Sequence, residues 1–389
     1  DLDAALDGWL VHSENYQALN SIKSKYLSRV NVIYTDPPFN TAASEIIYQN
    51  EYKHSSWLSM MEDRIRLSYE MLNLDGIECI AIDDFEFPFL STITNTIFGD
   101  ENRLSVVLVR SNPHGRAMAA GFSQNHEYAI YHRKSSKSTV GRLPRNEKLQ
   151  SRYSEKDDLG NFSWMNFRAT GANSRRIDRP KLYYPIYVST DEKIRIVEMT
   201  WSDEQSRWVP NEQPAENEVI VFPIDDEKQE RVWNLGWERA AIVSQTDLVA
   251  KKINDGWQIY RKYRPNENGT LPNTWWDDAK YSATESGTNI LKSLFGQRES
   301  FTYPKSVYLV SDCLLAANCS NSSLVLDYFA GSGTTAHAVM NLNRADGGRR
   351  KYILVEMGEH FHTVILPRIK KVAFSDKWKD GKASGGTGM

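Results

Sequence analysis

Two rhythms of apolar and polar positions divide the chain. Near its start, short apolar runs alternate with helical stripes. Trp9 to His12 reads as a strand, Tyr16 to Tyr26 has helical spacing, and Val30 to Tyr34 is a second strand that runs into Asp36-Pro37-Pro38-Phe39. That order is a β-α-β crossover. From Ser56 to Leu72 the residues Leu58, Met61, Ile65, Tyr69 and Leu72 recur at three and four positions, which stripes one helical face and makes Ser55 or Ser56 a candidate cap. Gly76 to Ile82 then reads as a strand, Phe87 to Phe98 as a helix, and Leu104 to Val109 and Tyr128 to His132 as strands.

The rhythm stops near Ser135. As far as Glu299 the text is dense in Trp, Tyr, Pro, Asn and charge, with short strand candidates at Leu182 to Val188, Val219 to Phe222 and Trp257 to Tyr260. It then resumes with a helix over Val307 to Ala317, a strand over Ser323 to Asp327 and a helix over Thr335 to Leu342. A strand over Tyr352 to Glu356 and a helix over His360 to Val372, despite Pro367, follow. The expected organisation is therefore two α/β halves, 1–134 and 300–381, flanking a mixed α+β insert, 135–299, with a small, Gly-rich, flexible tail at 382–389. The start at Asp1 rather than Met fits a fragment of something longer.

Composition narrows the function classes. At 389 residues the chain holds two to three domains at about 150 residues each. It has no apolar run of about 18 residues, so a membrane-spanning helix is excluded and no membrane partner is expected. Cys79, Cys313 and Cys319 form no C-x-x-C pair, and they suit a reducing cytoplasm rather than a disulfide framework. The net charge of −3 hides an asymmetry, because Asn102 to Lys181 carries sixteen Lys or Arg against six Asp or Glu, a net of +10. Interleaved with Tyr128, Tyr131, Tyr153, Phe162, Trp164 and Phe167, that stretch suits a phosphate backbone as well as a solvated face. The eight histidines show no metal-ligand spacing, and no metal is expected.

Two motifs carry chemistry. The strand ending at Asp327 runs into Tyr328-Phe329-Ala330-Gly331-Ser332-Gly333-Thr334-Thr335 and a helix, so that Gly331 and Gly333 let backbone approach a nucleoside-like ligand. Glu356, at the end of the next strand, can accept hydrogen bonds from both hydroxyls of a ribose. The same loop satisfies the loose dinucleotide pattern, which leaves a nicotinamide oxidoreductase open, whereas a P-loop lacks its Gly-Lys-Ser/Thr. The second motif, Asp36-Pro37-Pro38-Phe39, stands where open α/β sheets place their ligand crevice. Its prolines fix φ and donate nothing, leaving a rigid cluster of acceptors. The Asp36 carboxylate and the Pro37 carbonyl could each accept one N–H of an exocyclic aromatic amine, with Phe39 stacked on the ring.

Together, Asp36 to Phe39 and Phe329 to Gly333 resemble the two signature motifs of S-adenosylmethionine-dependent DNA amino-methyltransferases. The order, with the Asp-Pro-Pro-Phe motif first and the Gly motif last, resembles the β class. Ile82-Asp83-Asp84-Phe85-Glu86, Asn125-His126-Glu127-Tyr128 and Asp376 to Lys382 further resemble the modification (Mod) subunit of type III restriction–modification systems. The resemblance implies a circularly permuted Rossmann-like sheet with helices on both faces, in which the strands bearing Gly331 and Asp36 become neighbours at the switch point. It implies S-adenosyl-L-methionine as cofactor, held by Asp327, Phe329, Ala330, Gly331, Ser332, Gly333, Thr334 and Glu356, with Lys305 pairing with its carboxylate. Glu14 and Asn15 would line its adenine end, although Ser13-Glu14-Asn15 departs from the family's usual Gly-Asp-Asn. Asp36, Pro37, Pro38 and Phe39 would be catalytic.

The resemblance also implies double-stranded DNA as partner, a flipped base stacked on Phe39, and an insert that holds the duplex. Arg110, Arg116, Arg133, Lys134, Arg175, Arg176 and Arg179 are the expected DNA contacts. A homodimer and a helicase–nuclease restriction subunit are the implied protein partners, in a bacterial cytoplasm near the nucleoid. Within the family Asp-Pro-Pro-Phe more often accompanies adenine-N6, so a site-specific adenine-N6 methyltransferase is expected. A cytosine-N4 enzyme, a nicotinamide oxidoreductase and a non-catalytic DNA-binding regulator stay open on sequence alone.

Overall fold

The computed structural model describes residues 5–41, 53–115, 121–145, 150–254, 256–266, 269–296 and 301–385. It divides the chain into two compact units, Asp1–Pro144 with Thr270–Met389, and Arg145–Gly269.

The larger unit is built on an eight-stranded sheet. Its spatial order is Gly8–His12, Lys351–Glu356, Leu324–Asp327, Val30–Thr35, Leu72–Ile82, Glu127–Arg133, Arg103–Val109 and Trp275–Trp276. The first five strands run parallel, and Glu127–Arg133 runs antiparallel to both of its neighbours. The permutation is borne out by the central pairing, where Val325 faces Val32 and Leu326 faces Ile33. Chain segments some 290 residues apart thereby become neighbours at the switch point. Side chains of the central strand Leu72–Ile82 alternate between two cores. Ile77, Cys79 and Ala81 pack on one face of the sheet, Ile80 and Ile82 on the other. Apolar residues on both faces are what a parallel sheet covered by helices requires.

The helix over His54–Met71 buries Trp57, Met61, Ile65 and Met71, close to the expected stripe. Its cap is Lys53 rather than Ser55 or Ser56, and it passes without a loop into the strand at Leu72. The last helix starts with a wide turn at Phe361–Ile365 and continues as Leu366–Phe374. Pro367 sits in the first turn of that segment, where its missing N–H costs little.

The expected insert boundaries, 135–299, were too wide. Residues 135–144 stay with the larger unit: the Ser138 hydroxyl donates to the Gly76 carbonyl at 3.1 Å, and the Gly141 N–H donates to Ala316 O at 3.0 Å. At the other end, Trp275–Trp276, within the expected insert, is instead an edge strand of the larger unit, parallel to Leu108 and Val109. Trp276 stacks on Tyr281 at 5.4 Å, and both are buried in the core that Leu291 and Leu294 complete. A two-residue strand has no periodicity to read, so its aromatic density passed for insert text. Lys382–Ala383 pairs with Trp378–Lys379, which moves the ordered end beyond 382; residues 386–389 of the expected tail lie outside the described residues.

The smaller unit has a four-stranded sheet, ordered Leu248–Ile253, Gly256–Tyr263, Gly160–Asn166 and Glu155–Asp157. Three-stranded and two-stranded sheets and the helix Trp237–Asp247 complete it. Phe167, Tyr184, Trp233 and Ile259 are buried in its own core. The strand expected over Leu182 to Val188 begins only at Ile186, after a helical turn at Pro180–Leu182, because Pro185 has no N–H to give a ladder.

Candidate active site

The strand Val30–Thr35 ends at the carboxyl edge of the sheet and delivers Asp36 to Phe39 into a cavity of about 580 Å³. The turn is clamped from behind. The indole N–H of the buried Trp57 donates to the Pro38 carbonyl at 2.9 Å. Asn40, at φ +58°, donates to the buried Glu86 carboxylate at 2.7 Å, and His54 Nδ1 lies 3.0 Å from the same oxygen. Trp57 therefore occupies the carbonyl of Pro38, whereas that of Pro37 accepts no hydrogen bond among the described residues.

The Gly loop forms the facing wall. Asp327 accepts from the Phe329 N–H at 3.0 Å and from the Thr335 hydroxyl at 2.5 Å, which folds the loop over its own strand end. Burial raises this carboxyl to about 7 against those two hydrogen bonds, and Asp36 and Glu356 add to the rise. Gly331 (φ +54°) and Gly333 (φ +78°) take left-handed backbone that disfavours a side chain, and Gly333 caps the helix Thr334–Asp346. Glu356 accepts from the Gly331 N–H at 2.9 Å through one oxygen and from the Met357 and Gly358 N–H groups, both at 2.9 Å, through the other.

Beneath the loop lies a residue that sequence reading missed. Arg368 is fully buried and has no carboxylate partner among the described residues. Its guanidinium donates to the Ser332 carbonyl (3.1 Å), the Ser332 hydroxyl (2.8 Å) and the Thr334 hydroxyl (3.1 Å), and lies 3.3 Å from His337 Nδ1. Burial alone pulls its pKa down to about 9.

Of the expected site residues, Asp36, Pro37, Pro38, Phe39, Lys305, Asp327, Phe329, Ala330, Gly331, Ser332 and Thr334 line the one cavity. Gly333, Glu356, Glu14 and Asn15 do not line it. Glu14 caps the helix Asn15–Tyr26 by accepting from Gln17 N–H at 3.0 Å, and its other oxygen accepts from Arg64. Asn15 accepts from Arg64 as well and donates to the Tyr328 carbonyl at 3.0 Å. Both residues thus brace the root of the Gly loop, and the adenine-lining role expected of them is not what their contacts show.

Lys305 differs too. Its ammonium is 3.1 Å from Asp36 Oδ1 and 3.0 Å from Glu127 Oε2, and lies 4.5 Å from the Phe39 ring centroid. Asp83, at the end of the Leu72–Ile82 strand, also lines the cavity. Burial raises Asp36 and Asp83 each to about 6; Lys305 opposes the rise and Glu127 reinforces it. Only the Asn125-His126-Glu127-Tyr128 resemblance marked Glu127 in the sequence, and it assigned no chemistry.

The expected DNA contacts divide. In the larger unit Arg110 donates to Pro113 O at 3.3 Å, and Arg133 to Asn102 Oδ1 at 3.2 Å and Glu101 O at 3.1 Å. Lys134 donates to Tyr69 O at 2.5 Å and packs over the Tyr69 ring at 3.2 Å. Each of these three thus has a partner within its own unit. Arg116 lies outside the described residues. In the smaller unit Arg176 pairs with Glu230 at 3.0 Å, while Arg175 and Arg179 are exposed without an ionic partner among the described residues. No helix of the described chain is long and apolar enough to cross a membrane.

The chain is 29% identical over 388 residues to the type III restriction-modification enzyme EcoPI Mod subunit of Escherichia phage P1, a match covering 90% of this chain and 57% of that protein. It is 30% identical over 354 residues to the type II methyltransferase M.KpnI of Klebsiella pneumoniae, covering 88% and 79%. The solved M1.HpyAVI–SAM complex aligns with a TM-score of 0.40 at 15% identity, over 92% of this chain and 98% of that one. The chain thus spans little more than half the length of the phage Mod subunit. A family model described as DNA methylase (N6_N4_Mtase) matches residues 30–367, from the strand that bears Asp36 to the helix that bears Arg368. The chain belongs to this DNA methylase family, and a nicotinamide oxidoreductase is thereby set aside.

Proposed function

We propose that the protein transfers a methyl group from S-adenosyl-L-methionine to the N6 amine of a flipped adenine at a specific site in double-stranded DNA, as the modification subunit of a type III restriction–modification system. One observation carries the reading: the Asp-Pro-Pro-Phe turn and the Gly loop line the same cavity. Its volume of about 580 Å³ is within the range of small-molecule sites. The left-handed Gly331 brings bare backbone to the wall beside Phe329 and Ala330, which suits a nucleoside-bearing cofactor. When bound, S-adenosylmethionine supplies a methyl group on a positively charged sulfur.

The chain's own residues act on the acceptor. The Asp36 carboxylate and the Pro37 carbonyl take one N–H each, which frees the nitrogen lone pair from the ring and aims it. Phe39 supplies the stacking face, and Trp57 keeps the turn from relaxing through its bond to Pro38. With a pKa of about 6, Asp36 is ionised at neutral pH and available as an acceptor. Extrusion of the base from the duplex is required, because the amine cannot reach this crevice while stacked.

The names of the relatives support the type III assignment, and with it come a second copy of the chain and a restriction subunit as partners, in the cytoplasm. The test is nucleoside mass spectrometry of DNA from cells expressing the protein. N6-methyladenine is expected, N4-methylcytosine would redirect the base assignment, and the absence of any methylated nucleoside would refute the reading. Asp36→Ala should abolish transfer and leave cofactor binding near normal.

A further inference from the structure

We propose that Lys305 and Glu127 work on the amine-accepting side of the site, as a pair that orients the Asp36 carboxylate and sets its charge, rather than on the cofactor. The inference rests on the methyl-transfer reading above and names two residues that it leaves without a role.

The geometry of Lys305 points one way. The helix that follows it is fixed by Ser306, whose hydroxyl accepts from the Leu309 N–H at 3.2 Å and donates to the Lys280 carbonyl at 2.7 Å. From that anchor the Lys305 ammonium meets Asp36 at 3.1 Å, Glu127 at 3.0 Å and the face of Phe39 at 4.5 Å. Its side chain is only 12% exposed, and all three contacts belong to the acceptor wall. Asp36 and Phe39 are the two side chains that would receive the base. One cation therefore fixes both the carboxylate and the ring.

Glu127 completes the arrangement. It opens the antiparallel strand Glu127–Arg133, is nearly buried, and binds Lys305 through Oε2 while Oε1 has no partner among the described residues. Two carboxylates around one ammonium leave a net charge of −1 beside the reacting nitrogen. As the N–CH3 bond forms, the S–CH3 bond breaks with its electron pair going to sulfur. The positive charge thus moves to the nitrogen, whose surplus proton then passes to a carboxylate and on to water. A net anion at the acceptor favours that transfer. Asp36 is also faced by Asp327 from the Gly-loop strand and by Tyr34 from its own strand, and Asp83 acts on Lys305 and Glu127. Lys305 is the one cation in this set, so its loss leaves carboxylates that repel and favours a protonated Asp36.

The experiment compares Lys305→Met and Glu127→Gln with the unaltered protein in single-turnover methylation of an unmethylated duplex carrying the target site found by the nucleoside analysis and sequencing of DNA from expressing cells, followed against pH, with cofactor affinity measured separately by calorimetry. For Lys305→Met the expected result is a fall of at least about tenfold at pH 7, an acid limb displaced upward by about one pH unit or more, and cofactor affinity within about threefold. Glu127→Gln removes an anion and keeps the shape, so its acid limb should move downward instead. Opposite displacements are the signature that a merely structural role would not give. A Lys305→Met protein with weakened cofactor binding and an unchanged rate at saturating cofactor would assign Lys305 to the cofactor carboxylate and overturn the proposal. Unmoved acid limbs would overturn it as well. Should Lys305→Met fail to fold, the sign of the Glu127→Gln displacement decides alone. An unaltered protein that transfers no methyl group would instead bring down the methyl-transfer reading, and this inference with it.

Discussion

Replacing Arg368 by Met separates stability from cofactor binding, because the buried guanidinium contributes to the two with different signs. Four hydrogen-bonding groups meet it, the Ser332 carbonyl and hydroxyl, the Thr334 hydroxyl and His337 Nδ1, and none of them carries a negative charge. Removing the arginine therefore strands no opposite charge. The two hydroxyls keep each other at 3.1 Å, which leaves the Ser332 carbonyl as the main loss, about 1–3 kcal/mol. Against this, the variant no longer holds an ion out of water, a penalty of several kcal/mol. A methionine fills most of the vacated volume without strain. The balance predicts an unfolding free energy within about 2 kcal/mol of the unaltered protein. The Gly loop, however, loses the support beneath Ser332 and Thr334, and a cofactor must then pay to order it. We expect affinity for S-adenosylmethionine to fall at least about tenfold, or about 1.4 kcal/mol, by calorimetry. Unchanged affinity would refute the argument that Arg368 shapes the loop, and a collapse of stability would refute the ledger of buried charge.

Three further outcomes follow from the same structure. Trp57→Phe removes the 2.9 Å bond to the Pro38 carbonyl, so stability should fall by about 1 kcal/mol in urea unfolding while methyl transfer falls further as the turn loosens. Gly331→Ala should cost about 1–2 kcal/mol, because its φ of +54° is left-handed although an added Cβ would be in ordinary contact, 3.6 Å from Phe301; thermal unfolding measures it. Glu78 is buried and raised from 4.5 to about 8 by that burial, despite the 3.1 Å hydrogen bond from Tyr328. The folded protein thus keeps a proton that the unfolded chain releases, and stability should decline as pH rises from about 4.5 to about 8. Glu78→Gln should flatten that decline and be more stable at pH 8 by an amount on the order of a few kcal/mol, which unfolding curves at pH 5 and pH 8 will check.

The elements easiest to read were those whose pattern is local. The stripe of Leu58, Met61, Ile65 and Tyr69 announced its helix, and the strand–glycine–helix text around Gly331 announced its loop. The adjacency of the strands that carry Val325 and Val32 was also reached, as what the family resemblance implies for two motifs in this order, although their register was not. What escaped reading depends on contacts between distant segments. Trp275 and Trp276 form an edge strand that only the neighbouring Leu108 and Val109 define. Arg368 looks in the text like an ordinary cation of an amphipathic helix, and its burial under Ser332 is a tertiary fact. Lys305 and Glu127 stand 178 residues apart, and neither hints at the other. Glu14 and Asn15 were found at the edge of the sheet, but nothing in the sequence shows that Arg64 binds both of them.

The chain leaves the larger unit after Leu143 and re-enters it at Thr270, and those two residues are joined by a pair of backbone hydrogen bonds, each of 2.9 Å. Such a zipped neck closes the catalytic unit on itself whatever hangs from it. Everything from Arg145 to Gly269 can thus be exchanged as a cassette while the sheet that carries Asp36 and Gly331 is left unchanged.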